Sequence, residues 1–138
     1  TPVYKDGEYT AQAEEDSRGW LGEVKIVIRD GQIVGVDYFE AAVEDLESQR
    51  IVLDEFDEPV LDDEGNPKTE PVEVKVGERK SPENYNWPEL FDMISEVQKL
   101  VIENNGTENL DVDSITGATG SRDRMMELID KALEEARL

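Results

Sequence analysis

Residues 24–38, VKIVIRDGQIVGVDY, alternate apolar and polar side chains on both sides of an Asp-Gly pair. A period of two sends alternate side chains to one face, so the stretch reads as two strands sharing one buried surface. Asp30-Gly31 invites a two-residue hairpin loop. That register sets Ile26 opposite Gly35 and Val24 opposite Asp37. A three-residue loop, Arg29 to Gly31 with Gly31 left-handed, instead sets Ile26 opposite Val34 and Val24 opposite Val36. The second register is expected, because it joins the apolar sets.

The rest of the chain must cover that surface. A turn at Lys5-Asp6-Gly7 precedes YTAQA (9–13), a first strand. RIVL (50–53) and VEVKV (72–76) look like strands around a turn at Asp63 to Pro67, so residues 41–79 read as an acidic, hairpin-like insertion that projects from or extends the sheet. Its carboxylates lack the ligand spacing of an EF-hand Ca²⁺ loop and read as a solvated acidic loop. Asn86-Trp87-Pro88 opens a helix with proline in its first turn, and Leu90, Phe91, Ile94, Val97 and Val101 give it an apolar stripe. Asn104-Asn105-Gly106 stops it. The glycosylation sequon Asn105-Gly106-Thr107 is given no role. A last helix, roughly 121–137, buries Met125, Leu128, Ile129, Ala132, Leu133 and Ala136, with Ser121 as N-cap and Asp123 in its first turn. No internal repeat is visible. The expectation is one α+β domain over residues 1–138, a mostly antiparallel sheet with two helices packed on one face.

Composition then narrows the function. The 35 acidic residues against 14 Lys and Arg leave a net charge of −21. That argues against nucleic acid or an anionic membrane surface as partner, since phosphate backbones need a basic footprint. With no Cys and no His, the chain has no Ser-His-Asp triad, thiolate or imidazole zinc site, or Fe–S ligands. Redox chemistry would need an organic cofactor. No window is apolar enough to span a membrane, and no signal peptide is present. The start at Thr1-Pro2 looks like a processed N-terminus, which a leader or lipid anchor could have preceded.

One stretch carries chemistry. Residues 113–121, DSITGATGS, stand at the mouth of the last helix, where unpaired amides carry partial positive charge. Gly117, Ala118 and Gly120 leave the backbone bare, and Thr116, Thr119 and Ser121 supply hydroxyls. This is a candidate phosphate site of low specificity, and ordinary turn and cap chemistry explains the same residues.

Asp113-Ser114-Ile115-Thr116-Gly117-Ala118-Thr119 resembles the flavinylation motif of the FMN-binding domain family: Asp, two variable positions, Ser or Thr, then Gly-Ala-Thr. The domain occurs within the Na⁺-translocating NADH:quinone oxidoreductase, within the Rnf complex and in secreted flavoproteins of extracellular electron transfer. KDGEYTAQA (5–13), the Gly-Trp at 19–20, the Asp-Gly hairpin and KSPENYNW (80–87) also resemble its small secreted members, whereas 41–79 has no evident counterpart. The resemblance implies an extracytoplasmic electron-transfer flavoprotein. A flavin transferase would take FMN from FAD and attach it by a phosphoester to Thr119. Asp113, Thr116, Gly117 and Ala118 would be the residues it reads. The implied partners are that transferase and redox proteins or a quinone- or NADH-linked chain, with membrane attachment through an upstream segment. Tyr85, Trp87 and Trp20 are candidates for packing on the flavin ring, each with ordinary core packing as the plainer alternative. Met125 is core first, and Met126 lies near the motif. The surrounding carboxylates are expected to disfavour anionic reduced flavin and lower its potential. A noncovalent FMN or phosphate-ligand module, and an acidic interaction domain without cofactor, are the competing readings.

Overall fold

The alternating stretch forms the centre of a three-stranded antiparallel sheet in the order β1 (Gly7–Gln12), β2 (Trp20–Arg29), β3 (Gln32–Ala42). The computed structural model describes residues 4–112, 115 and 118–138. Two further strands, β4 (Leu46–Ile51) and β5 (Thr69–Val74), pair antiparallel in a separate sheet, and two helices follow, α1 (Pro88–Asn104) and α2 (Thr119–Ala136). The class is α+β, as expected. Val24, Ile26 and Ile28 of β2 and Ile33, Val36 and Tyr38 of β3 share one core with Leu90, Met93, Val97 and Val101 of α1 and the apolar stripe of α2. Each fully buried aliphatic side chain there contributes about 1.5–3 kcal/mol.

The hairpin corrects the expected register. Asp30 and Gly31 both adopt left-handed backbone, with φ of 55° and 75°, and Arg29 pairs with Gln32, so the loop has two residues. Between Val27 and Ile28 the register then shifts: Ile28 faces Ile33 while Val27 faces Gly35, leaving Val34 as the extra residue of a β-bulge. Beyond it Ile26 faces Val36 and Val24 faces Tyr38. The apolar sets do meet, but through a bulge rather than a longer loop. Val34, expected opposite Ile26, is expelled and 51% exposed.

The acidic segment turns twice, not once. Past β4 and β5 the chain makes bridges Leu53–Pro59 and Leu61–Pro67. Asp54 Oδ1 accepts from the amides of Phe56 and Glu58, and Asp62 Oδ1 accepts from those of Glu64 and Asn66. LDEFDEP and LDDEGNP are therefore two copies of one turn unit, with Asp57 and Gly65 left-handed at the equivalent position. The two turn units share Leu, Asp and Pro at equivalent positions and differ at the other four. The strands also lie earlier than expected, since β4 begins at Leu46 and Val76 is exposed beyond β5. The arm returns to the main sheet where the Ala42 amide donates to Glu78 O and the Lys80 amide to Glu40 O. Trp20, Ala42 and Val74 pack together at that junction.

Helix α1 begins and ends as expected, with Pro88 in its first turn and left-handed Asn105 as C-cap. Met93 is fully buried, whereas Phe91 and Ile94 are only partly so. Gln98 Oε1 accepts from the Tyr38 amide at 2.8 Å and Asn105 Oδ1 from the Ile33 amide at 2.7 Å, so α1 pairs backbone donors that β2 does not. Asn105 of the sequon thus spends its side chain on the fold. Helix α2 starts at Thr119 with Ala118 as N-cap and no side-chain cap bond. Ser121 is therefore not the N-cap: the helix begins two residues earlier, and its hydroxyl has another partner. Among the described residues no helix is long and apolar enough to cross a membrane.

Candidate functional site

A cavity of about 490 Å³ opens where four stretches converge. Its walls are Ser17, Arg18 and Trp20 before and at the start of β2, Leu46–Ser48 of β4, the segment containing Lys80, Tyr85 and Trp87, and Gly120, Ser121 and Arg124 of α2, with Glu40 of β3 beneath. Gly19 makes the first wall possible. Its φ is +88°, and a Cβ there would meet Leu46 Cδ2 at 2.9 Å, so only glycine lets the chain pass and deliver Trp20. Asn84 shapes the third wall: its buried side chain accepts from the Ser81 amide and donates to Arg79 O, closing the turn between Lys80 and Tyr85.

Glu40 is the hub. It points inward in the same alternation as Val36, Tyr38 and Ala42, and is 3% exposed. Lys80 Nζ donates to its Oε1 at 2.7 Å, while Tyr38 Oη and Ser121 Oγ donate to Oε2 at 2.7 and 3.2 Å. Arg124 Nη1 lies 3.8 Å from Oε2. Burial pushes the Glu40 carboxyl up, but the Lys80 charge, the hydrogen bonds from Lys80 and Tyr38 and the Arg124 charge together hold it below the ordinary carboxylate range. Burial, then the Glu40 charge, push the Tyr38 hydroxyl upward, so it stays a donor. Lys80 Nζ also lies 4.0 Å from the Tyr85 ring centroid and 5.0 Å from that of Trp20, and the two rings meet edge to face at 6.1 Å.

The sign of this site is opposite to that of the chain. Arg18, Lys80 and Arg124 line it against Glu40 and Glu47, a local balance of one positive charge inside a protein of −21. Such a wall, with the N-terminus of α2 in it, draws an anion in from an otherwise repelling surface.

Of the residues singled out from the sequence, Gly120, Ser121, Tyr85, Trp87 and Trp20 line the cavity. Trp20 is also buried core, packed with Ala42 and Val74, and Trp87 stands 38% exposed. Thr119 is the exposed first residue of α2, next to Gly120 of the wall, and Ala118 is buried. Asp113, Thr116 and Gly117 lie outside the described residues. Met125 is fully buried, and Met126 packs partly buried against the core. Sequence reasoning missed Arg18, Glu40, Lys80 and Arg124. An acid on the apolar face of β3 was a readable signal for Glu40; the others gave none until the walls came together.

A family model of the FMN-binding domain matches residues 19–134. The chain belongs to the FMN-binding domain family. FMN is its cofactor, and the protein is an FMN-binding flavoprotein module. No curated protein and no solved structure matches the chain. The cavity suits that ligand: its volume lies in the usual range for small-molecule sites, it offers cations to a phosphate, and aromatic rings edge it. When bound, FMN supplies redox chemistry that none of the chain's own side chains offers. In this FMN-binding domain the residues that would hold it are Trp20, Tyr85 and Trp87 as apolar surface and Lys80, Arg124 and Arg18 as cations. Gly-Trp at 19–20, Lys80 to Trp87 and Thr119, the last residue of the motif, all stand at this cavity or beside it.

Proposed function

We propose that this FMN-binding domain is an electron carrier outside the cytoplasm, with its flavin tethered through a phosphoester to Thr119. The observation that supports it most is the position of Thr119: an exposed hydroxyl-bearing residue at the first turn of α2, beside a positively balanced cavity. In maturation a flavin transferase would use FAD. The Thr119 oxygen bonds to the FMN phosphorus, the pyrophosphate bond breaks, AMP leaves, and the hydroxyl proton passes to a base. A tether suits a carrier outside the cell, where lost FMN is not readily replaced. Redox proteins, or a quinone- or NADH-linked chain, would exchange electrons with the ring, and an upstream segment would hold the domain at the membrane.

Coexpression with a flavin transferase, followed by intact mass measurement under denaturing conditions, tests this reading. Wild type should gain the mass of one FMN minus water, Ser121→Ala should gain the same, and Thr119→Ala should gain nothing. Unmodified wild type that still binds FMN in solution would replace the tether with noncovalent binding. Modification of Thr119→Ala would move the acceptor elsewhere.

A further inference from the structure

Arg122 is a cation on the buried face of α2, in line with Met125, Ile129 and Ala136, and it is 8% exposed. Its guanidinium reaches back along the chain. Nη1 donates to the carbonyls of Val112 and Ile115, both at 3.1 Å, while Nε and Nη2 both donate to Asp123 Oδ1. Its own amide donates to Ala118 O at 2.8 Å, and the Ile115 amide donates to Val112 O at 3.0 Å. Val112 and Ile115 are themselves packed, partly buried, against the core. One side chain therefore fastens Val112 and Ile115 to the first turn of α2. A buried guanidinium is costly unless its donors are filled, so its place here is set by the carbonyls it serves.

We propose that Arg122 is the positioning residue for flavin attachment: it anchors Val112 and Ile115, ahead of Thr119, where the transferase engages the chain, without touching the acceptor. The role rests on the reading of Thr119 as the acceptor. Anchors that had to form at the moment of transfer would slow the step; anchors already made do not. The planar fork matters, because one nitrogen serves two carbonyls while the other two hold Asp123. A lysine ammonium in its place offers three donors from one point and cannot span that arrangement.

The test follows flavin attachment over time on the full chain with purified transferase and FAD, read as the modified fraction by denaturing mass spectrometry. The proteins are wild type, Thr119→Ala, Arg122→Ala, Arg122→Lys and Val101→Ala. Val101, fully buried on α1, serves as a control for lost stability, checked by the urea midpoint. Attachment to Arg122→Ala should be at least about tenfold slower than to wild type, with Arg122→Lys in between and Val101→Ala at the wild-type rate. Should Arg122→Ala fail to fold, the folded Arg122→Lys protein carries the comparison, and it should still be slower. Wild-type rates in the Arg122 variants, with Thr119→Ala inert, would overturn the positioning role alone. Equal slowing of Val101→Ala would overturn it too, by tracing the effect to stability. An unmodified wild type would overturn the Thr119 reading and this one with it.

Discussion

Replacing Glu40 by glutamine removes the charge at the centre of the site while keeping its size. Lys80, whose side chain is 8% exposed, would keep its ammonium but lose the carboxylate 2.7 Å away. The amide has one carbonyl oxygen for donors that now share two, so Tyr38, Ser121 and Lys80 compete for it. Breaking one side of a buried ion pair costs about 3–5 kcal/mol. Against a total stability of about 5–15 kcal/mol that is a large fraction. Arg124, with a side chain 33% exposed and 3.8 Å from the carboxylate, adds little by comparison. With a urea slope of about 2 kcal/mol/M, the midpoint should fall by about 1.5–2.5 M. The double variant Glu40→Gln with Lys80→Met removes the stranded charge as well. It should return to within about 2 kcal/mol of wild type, because neutral replacement of a buried pair is often nearly neutral, less the lost cation–π contacts. Urea unfolding of wild type, Glu40→Gln, Lys80→Met and the double variant, followed by circular dichroism, closes the cycle. A Glu40→Gln midpoint within about 0.3 M of wild type, with no recovery in the double variant, would refute the reasoning: the pair would then be screened by water and would not fix the cavity floor.

The Glu40 carboxyl also predicts a pH effect. Its native pKa lies below the ordinary value, so its contribution is full above the unfolded-state pKa and is lost as pH falls through the native one; the wild-type urea midpoint should drop between about pH 5 and about pH 3 more steeply than that of Glu40→Gln. Gly19→Ala should lower stability by about 1–3 kcal/mol, from positive φ and the close approach to Leu46, read as a lower melting temperature. In the Thr119→Ala background, which isolates noncovalent binding, Arg124→Met should weaken FMN binding about tenfold in a fluorescence titration, because it removes one of the three cations lining the cavity while Glu40 keeps Lys80. High salt should shrink that difference.

The sheet and helices were legible because their signals are local. Alternation between Val24 and Tyr38, the stripe from Leu90 to Val101 and the stripe from Met125 to Ala136 each report one buried face. The hairpin register was not legible, because two solutions, a longer loop or a bulge, bring apolar sets together, and periodicity does not distinguish them. Helix α2 starts at Thr119 without any side-chain cap, and the hydroxyl of Ser121, expected to cap it, goes to Glu40, 81 residues away in sequence. The aromatic lining came from residues already visible as unusual, Trp20, Tyr85 and Trp87. Its charge did not: composition points to a negative field at the flavin, yet folding collects Arg18, Lys80 and Arg124 at the cavity. The arm reads in sequence as acidic solvated loop, yet its β4 residues Leu46, Glu47 and Ser48 form a wall. Long-range pairing places them there, and no local pattern announces it.

The most direct test of the central claim, that FMN occupies the cavity beside Thr119, is a comparison of amide NMR spectra of the flavinylated protein and the unmodified Thr119→Ala protein. Shifts should spread over Ser17 to Trp20, Leu46 to Ser48, Lys80 to Trp87 and Gly120 to Arg124, the four walls that meet only in the folded chain. Shifts confined to the neighbourhood of residue 119, with Trp20, Ser48 and Lys80 unchanged, would place the ring outside the cavity and contradict the account.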